Sequence, residues 1–148
     1  GTQQAPEALP RLVNALLGSN NWGVAGLTIN PERGTMAAAM LLAVLEQHDP
    51  ALAKSLGDGH RAKHPLLAVY LGMVRTRLAL NEERHADALR HWYAAERQLR
   101  TALETPGVAL PEELRESVEA LRSQVQVVSE QLHSDVQQRL SLSSGPGG

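Results

Sequence analysis

The most telling absences in this 148-residue chain are cysteine and phenylalanine, neither of which occurs. Without cysteine there is no disulfide, no thiolate metal ligand and no cysteine nucleophile. Two tryptophans and two tyrosines are the only aromatic residues, so the core must be mainly aliphatic. A chain of this length buries roughly 68–70% of its unfolded surface and needs no covalent cross-link to stay folded. A cysteine-free chain suits the cytoplasm, which we favour, and also the periplasm.

Long hydrophobic runs are missing as well. The longest, Met36 to Leu45, has ten residues, whereas a membrane-spanning helix needs about 20, so no membrane span is predicted. Charge of one sign is concentrated locally: residues 60–100 carry 8 basic against 4 acidic side chains, and residues 101–148 carry 3 against 7. This pattern favours attraction between two segments of the fold. It does not favour a nucleic-acid partner, because domains that bind nucleic acid are usually far more basic.

The residues that are abundant, leucine and alanine, are strong helix formers. We therefore expect an all-α fold, a helical bundle of about five or six helices. Residues 6–142 are predicted to form a single helical domain. Residues 1–5 are expected to be a flexible N-terminus or a cloning remnant, and residues 143–148 a flexible linker or tail, because they are rich in glycine, serine and proline.

Local signals predict where helices begin and end. Asn30-Pro31-Glu32 and Asp49-Pro50 each combine a capping side chain with proline at the first helical position. Asn81, followed by two glutamates, predicts a third start. Gly57 predicts the end of the short helix that Asp49-Pro50 opens, and Thr105-Pro106-Gly107 predicts another end.

Two helices carry apolar stripes. The helix after Asn81 is predicted to turn inward a stripe of six residues: His85, Leu89, Trp92, Glu96, Leu99 and Leu103. The last helix, opened by Pro111, has a seam whose spacing alternates four and three: Leu114, Val118, Leu121, Val125, Val128 and Leu132. Such a heptad seam indicates a packing face of the bundle or, alternatively, a homodimer through residues 114–132.

The middle of the chain contains one recognisable pattern. Leu71-Gly72 precedes Ala88, Trp92 and Ala95, which form a small, aromatic, small series on one helix. Residues 71–106 thereby resemble a tetratricopeptide-type helical hairpin. The distance from Gly72 to Ala88 is four residues longer than that repeat uses, the closing proline is late, and no second copy follows. The resemblance implies an antiparallel hairpin that binds a peptide or partner protein, with no ligand residues to transfer.

Histidines and carboxylates occur in two short motifs, Glu82 with His85 and Glu130 with His133. The same spacing supplies ligands in di-iron bundles, where two further helices each add a glutamate. Neither a metal nor another cofactor is predicted here. The helical phase of Glu130 and His133 places them off the seam of the last helix, so they are expected to face water. Glu82 is explained by the favourable interaction of its negative charge with the dipole at a helix N-terminus.

A polar stretch, residues 58–64, is predicted to be a loop with exposed histidines at positions 60 and 64. An alternative interpretation is a patch that contacts an anion through Arg61, Lys63 and His64. The two basic side chains between the histidines disfavour a bound cation.

No motif identifies a reaction, and no catalytic residue is predicted. We expect a non-enzymatic protein-interaction or scaffolding domain that receives a partner segment in an apolar groove between helices. The partner would be another protein or a neighbouring domain of the same chain. Aromatic side chains are the candidate partner contacts, because they are enriched at binding hot spots: Trp22, Tyr70, Trp92 and Tyr93. The alternatives are a ligand-sensing regulatory module and a helical-bundle enzyme or metal protein.

Overall fold

The computed structural model describes residues 5–18 and 31–143, and the side chains of residues 8–17 and 34–141. These residues form six helices: α1 (Ala5–Gly18), α2 (Pro31–His48), α3 (Pro50–His60), α4 (Leu67–Asn81), α5 (His85–Glu104) and α6 (Glu112–Ser143). The prediction of an all-α helical bundle is confirmed. Among the described helices, none has both the length and the apolarity that crossing a bilayer requires.

The core is aliphatic, as the composition requires. One buried cluster joins side chains of α1, α2, α4 and α6 with a single large aromatic residue of α5, Trp92. Helix α2 contributes the small residues Ala38 and Ala39 beside Leu42, so its neighbours approach closely. Helix α3 contributes only the half-buried Leu56 to this cluster, so it adds little to the core.

Helices α4 and α5 form a tight antiparallel hairpin. A Cβ atom placed on Gly72 would lie 2.7 Å from the Cβ of Ala95, so only glycine fits at this crossing. The buried Thr76 hydroxyl donates to the Gly72 carbonyl at 2.7 Å, which satisfies its hydrogen bond within the helix. The hairpin that the sequence predicts is therefore present, and Gly72 and Ala95 lie at its point of closest approach.

The turn between α4 and α5 differs from the prediction. Asn81 is the last residue of α4 and caps no following helix. Glu83 adopts a left-handed backbone with φ of 58°. The Arg84 N–H donates to the Ala79 carbonyl at 2.8 Å, and the Glu83 N–H donates to the Leu80 carbonyl at 3.1 Å. This is a Schellman motif with glutamate where glycine is usual, and it extends α4 up to the turn.

The other predicted boundaries are partly right. Helix α2 begins at Pro31, as predicted, while its proposed cap, Asn30, lies outside the described residues. The Asp49 side chain caps α3 by accepting from the Leu52 N–H at 3.1 Å. Gly57 does not end α3, which continues to His60. A glycine inside a helix costs only about 1 kcal/mol relative to alanine, and the helix tolerates it.

The inward face of α5 overlaps the predicted stripe at Trp92 and at the half-buried Leu89 and Leu99, but it is shifted towards the alanines. Its buried residues are Ala88, Trp92, Ala95 and Ala102, whereas Leu103 is half exposed. The close approach of α4 at Gly72 selects small side chains for the interface, so alanines occupy it and the longer leucine lies outside. The predicted end of α5 is correct, because the helix stops at Glu104 and Gly107 follows with φ of 82°.

Helix α6 is half inside and half outside the bundle. The first part of its predicted seam is buried: Leu114, Val118, Leu121 and Val125. Val128 and Leu132 are half-buried, and residues 133–141 are exposed. The first half of the seam is therefore a packing face of the bundle. The alternative, a homodimer through residues 114–132, stays a prediction.

Candidate functional site

The structure has a cleft between α3 and α5, with α4 as its floor. Helix α3 packs mainly on α2 and touches α4 only lightly, and α3 and α5 do not pack on each other. The space that they leave has a volume of about 590 Å³ and reaches Glu46 of α2 at one end. We take this α3–α5 cleft as the candidate functional site.

The floor of the cleft is made of small and apolar residues. Helix α4 supplies Ala68, Leu71 and Gly72, and α5 supplies Ala94 and Ala95. The same small residues that let α4 and α5 pack closely leave no long side chain to fill the space above them. The floor is therefore an apolar trough.

One end of the cleft carries a part-buried ion pair. Arg75 of α4 donates to both carboxylate oxygens of Glu46, with its Nε 3.0 Å from Oε2 and its Nη2 bonded to Oε1. A two-point Arg–carboxylate contact of this kind fixes the relative position of the two side chains. His91 lies at the same end, where burial, together with the charges of Arg75 and Arg90, lowers the pKa of its imidazole.

The opposite end is formed where α3 stops. Arg61 donates from Nη2 to the amide oxygen of Gln98 on α5 at 3.1 Å. On the outer wall, Lys54 and Asp58 form an exposed pair at 2.9 Å. The hydrogen bond and charge of Lys54, with a smaller contribution from Arg61, lower the pKa of Asp58. This end therefore contains two cations and one carboxylate.

The three residues of the predicted anion patch are not brought together. Arg61 lines the α3–α5 cleft, whereas Lys63 and His64 line a second, smaller depression of about 250 Å³ beside Val108. An anion in the cleft would therefore meet only the first of the three.

The two histidines of the predicted loop hold α1 in place. His60 ends α3 and donates from Nε2 to the Asn14 Oδ1 at 2.7 Å, and the His64 Nε2 donates to the Leu17 carbonyl at 2.6 Å. Both side chains are half-buried, so the prediction of exposed histidines is wrong. Burial and the neighbouring His64 and Lys63 lower the pKa of His60.

The four aromatic residues proposed as partner contacts occupy different environments. Tyr70 and Trp92 are only 6% and 3% exposed and belong to the core. The Arg122 guanidinium of α6 covers the Trp92 ring at 5.8 Å from its centroid. Tyr93 is 52% exposed, on the face of α5 opposite the cleft. Trp22 lies outside the described residues.

The two Glu-x-x-His motifs do not assemble further ligands. Glu82 lies in the turn before α5 and is exposed, so it does not share a helix with His85. Glu130 and His133 are exposed on α6, as their phase predicts. In the described part of the chain, no three side chains of His, Cys, Asp or Glu come close enough to hold one metal ion.

Comparison with protein-family models, with curated protein sequences and with solved structures finds no match to this chain. The case for function therefore rests on the cleft itself. Sequence reasoning did not single out its lining residues Ala68, Arg75, His91 and Gln98. The signal available in the sequence is the set of small residues around Gly72. Small residues let α4 and α5 pack closely, and they leave space above the crossing because no long side chain fills it.

Proposed function

We propose that this chain is a non-enzymatic protein-interaction domain that binds a short segment of a partner protein in the α3–α5 cleft. The observation that carries the proposal is the open trough itself, whose small apolar floor lies between two charged ends. Apolar surface in such a groove supplies affinity, and polar groups at its ends fix orientation.

The dimensions of the cleft fit a peptide segment. The floor extends along α4 from Leu67 to Arg75, which is about 12 Å at the helical rise per residue. An extended chain covers that distance with about four residues.

A second candidate is a ligand-sensing regulatory module. The volume of about 590 Å³ lies within the range of about 300–1,000 Å³ that is typical of small-molecule sites. In this case the bound molecule would be compact and would contact the floor and the part-buried end near His91.

Selection of short random peptides against the purified chain, followed by titration of synthetic copies, tests the first proposal. The key variant is Ala94→Phe, which fills the floor, and its matched control is Ala86→Phe, at an exposed position of the same helix outside the cleft. We expect the chain and the control to bind the same peptides and Ala94→Phe to lose them at an unchanged melting temperature.

Recovery of no peptide, or equal binding by both variants, would overturn the interaction proposal. Amide chemical-shift changes confined to the cleft on addition of compact metabolites, with no peptide recovered, would favour the ligand-sensing candidate instead.

A further inference from the structure

We infer that the segment bound in the α3–α5 cleft carries an acidic side chain, and that Arg61 binds its carboxylate. The inference rests on the proposed function and adds the chemistry of the partner to it. It follows from the pairing of charges around the cleft and from the position of one guanidinium group.

The charged residues that line the cleft are not balanced. Three are basic and two are acidic if His91 is neutral. Glu46 is held by Arg75 in a two-point contact. Asp58 is held by Lys54 at 2.9 Å. Among the described residues both carboxylates are thus already paired with other cations, and the remaining positive charge is that of Arg61.

Arg61 has a neutral hydrogen-bond partner. Its Nη2 donates to the amide oxygen of Gln98 at 3.1 Å, and no ion pair of Arg61 is found within the described residues. A guanidinium has five N–H donors in a planar fork that matches a carboxylate. A carboxylate is a stronger acceptor than an amide, so an incoming acid gains by replacing Gln98.

The position of Arg61 also sets the end of the trough at which the acidic side chain lies. Arg61 follows the last turn of α3 at one end of the trough, and the Glu46–Arg75 pair occupies the other end. Asp58, the acidic side chain that α3 places at this end, is already engaged by Lys54. An acidic residue at the Arg61 end, with small apolar residues beside it over Gly72, matches both the cation and the apolar floor.

The test uses peptides selected against the chain and resynthesised with both termini blocked, so that only side chains carry charge. Each peptide is compared with a copy in which its acidic residue is replaced by the amide. The protein variants are Arg61→Gln and, as a matched control, Arg97→Gln, an exposed arginine of α5 outside the cleft. Both variants remove one positive charge.

We expect the chain and Arg97→Gln to bind the acidic peptide at least about tenfold more tightly than its amide copy, the lower limit for a hydrogen bond to a charged group. Arg61→Gln should bind the two copies equally. Selected peptides without an acidic residue, or an undiminished preference in Arg61→Gln, would overturn this inference while peptide binding itself would stand. Failure to recover any peptide would overturn both.

Discussion

Helix α4 has two sides that are built differently. Towards α5 it presents Gly72, which brings the two helices into contact with no space for one added methyl group. Towards α3 it presents Ala68 and Leu71 across an open cleft. The side of α4 that faces α5 is buried and therefore stabilises the fold, because hydrophobic stabilisation scales with the apolar area removed from water. The second side keeps its apolar area accessible, which is what a binding surface needs.

The largest effect should come from the closed side. Trp92→Ala removes the only large aromatic residue that α5 gives to the core, and we expect a loss of about 3–5 kcal/mol in the free energy of unfolding. Tyr93→Ala, at the exposed neighbouring position, should change it by less than about 1 kcal/mol. Urea denaturation followed by circular dichroism measures both. Equal losses would mean that the hairpin does not hold the fold together.

Two glycines compare the closed α4–α5 contact with the open cleft: Gly72 lies at the contact, and Gly57 of α3 lines the cleft. Gly72→Ala places a methyl group against Ala95 and should destabilise the fold by about 1–3 kcal/mol through overpacking. Gly57→Ala, on α3, meets nothing within 4 Å and should stabilise by about 0.4–1 kcal/mol, since alanine restricts the unfolded chain. Thermal melts of both variants check the opposite signs. Stability changes of the same sign in both variants would contradict the distinction between the closed contact and the open cleft.

A smaller change in the free energy of unfolding is expected at the hairpin turn. Glu83 holds a left-handed backbone, which costs a residue with a side chain about 1–2 kcal/mol. Glu83→Gly relieves that cost but loses backbone entropy, so we expect a net stabilisation of about 1 kcal/mol or less. Glu82→Gly, one residue earlier where φ is −90° and no left-handed backbone has to be relieved, should not stabilise. Chemical denaturation separates the two variants, and a destabilised Glu83→Gly would argue against the Schellman turn.

The smallest effect concerns pH. The folded-state pKa values of His60 and His91 are lowered from 6.5, chiefly by burial, so below that pH the unfolded chain binds more protons than the folded one. Stability should therefore fall as the pH drops from 7.5 to 5, by linkage. The lowered pKa of Asp58 acts in the same direction but only below about 3.8, outside that window.

His60→Gln should flatten this pH dependence while keeping a donor for Asn14, and His133→Gln, at an exposed position of α6, should leave it unchanged. Unfolding free energies measured across the window give the slope. A slope that is the same in all three proteins would assign the pH response to other groups.

The sequence predicts those features that depend on short stretches of chain. The cap at Asp49, the stop after Glu104 and the seam from Leu114 to Val125 each depend on residues within a few turns, and each is confirmed. Asn81 was misassigned because a cap followed by acids and a helix end with a left-handed glutamate look alike in sequence. The hydrogen bonds from Glu83 and Arg84 back into α4 decide between them.

The cleft could not be predicted, because it depends on where distant segments come to rest. The cleft exists because α3 packs on α2 and does not contact α5. No local sequence pattern encodes the distance between α3 and α5. The inward face of α5 was predicted only in part, for a related reason. Of the two leucines that suggest the stripe, Leu99 packs partly buried against the core and Leu103 is half exposed, because Gly72, far along the chain, selects alanines for the closest contact.

The length of α6 has one more consequence. Its first turns are clamped by buried leucines and valines, and about 22 Å of helix separates Val125 from Leu140. A helix that is fixed at one end amplifies small angular changes along its length. A slight tilt of the clamped part becomes a much larger sweep at the free tip, so a fluorescent probe at Leu140 would report any rearrangement of α5 beneath it, including one that follows occupation of the cleft.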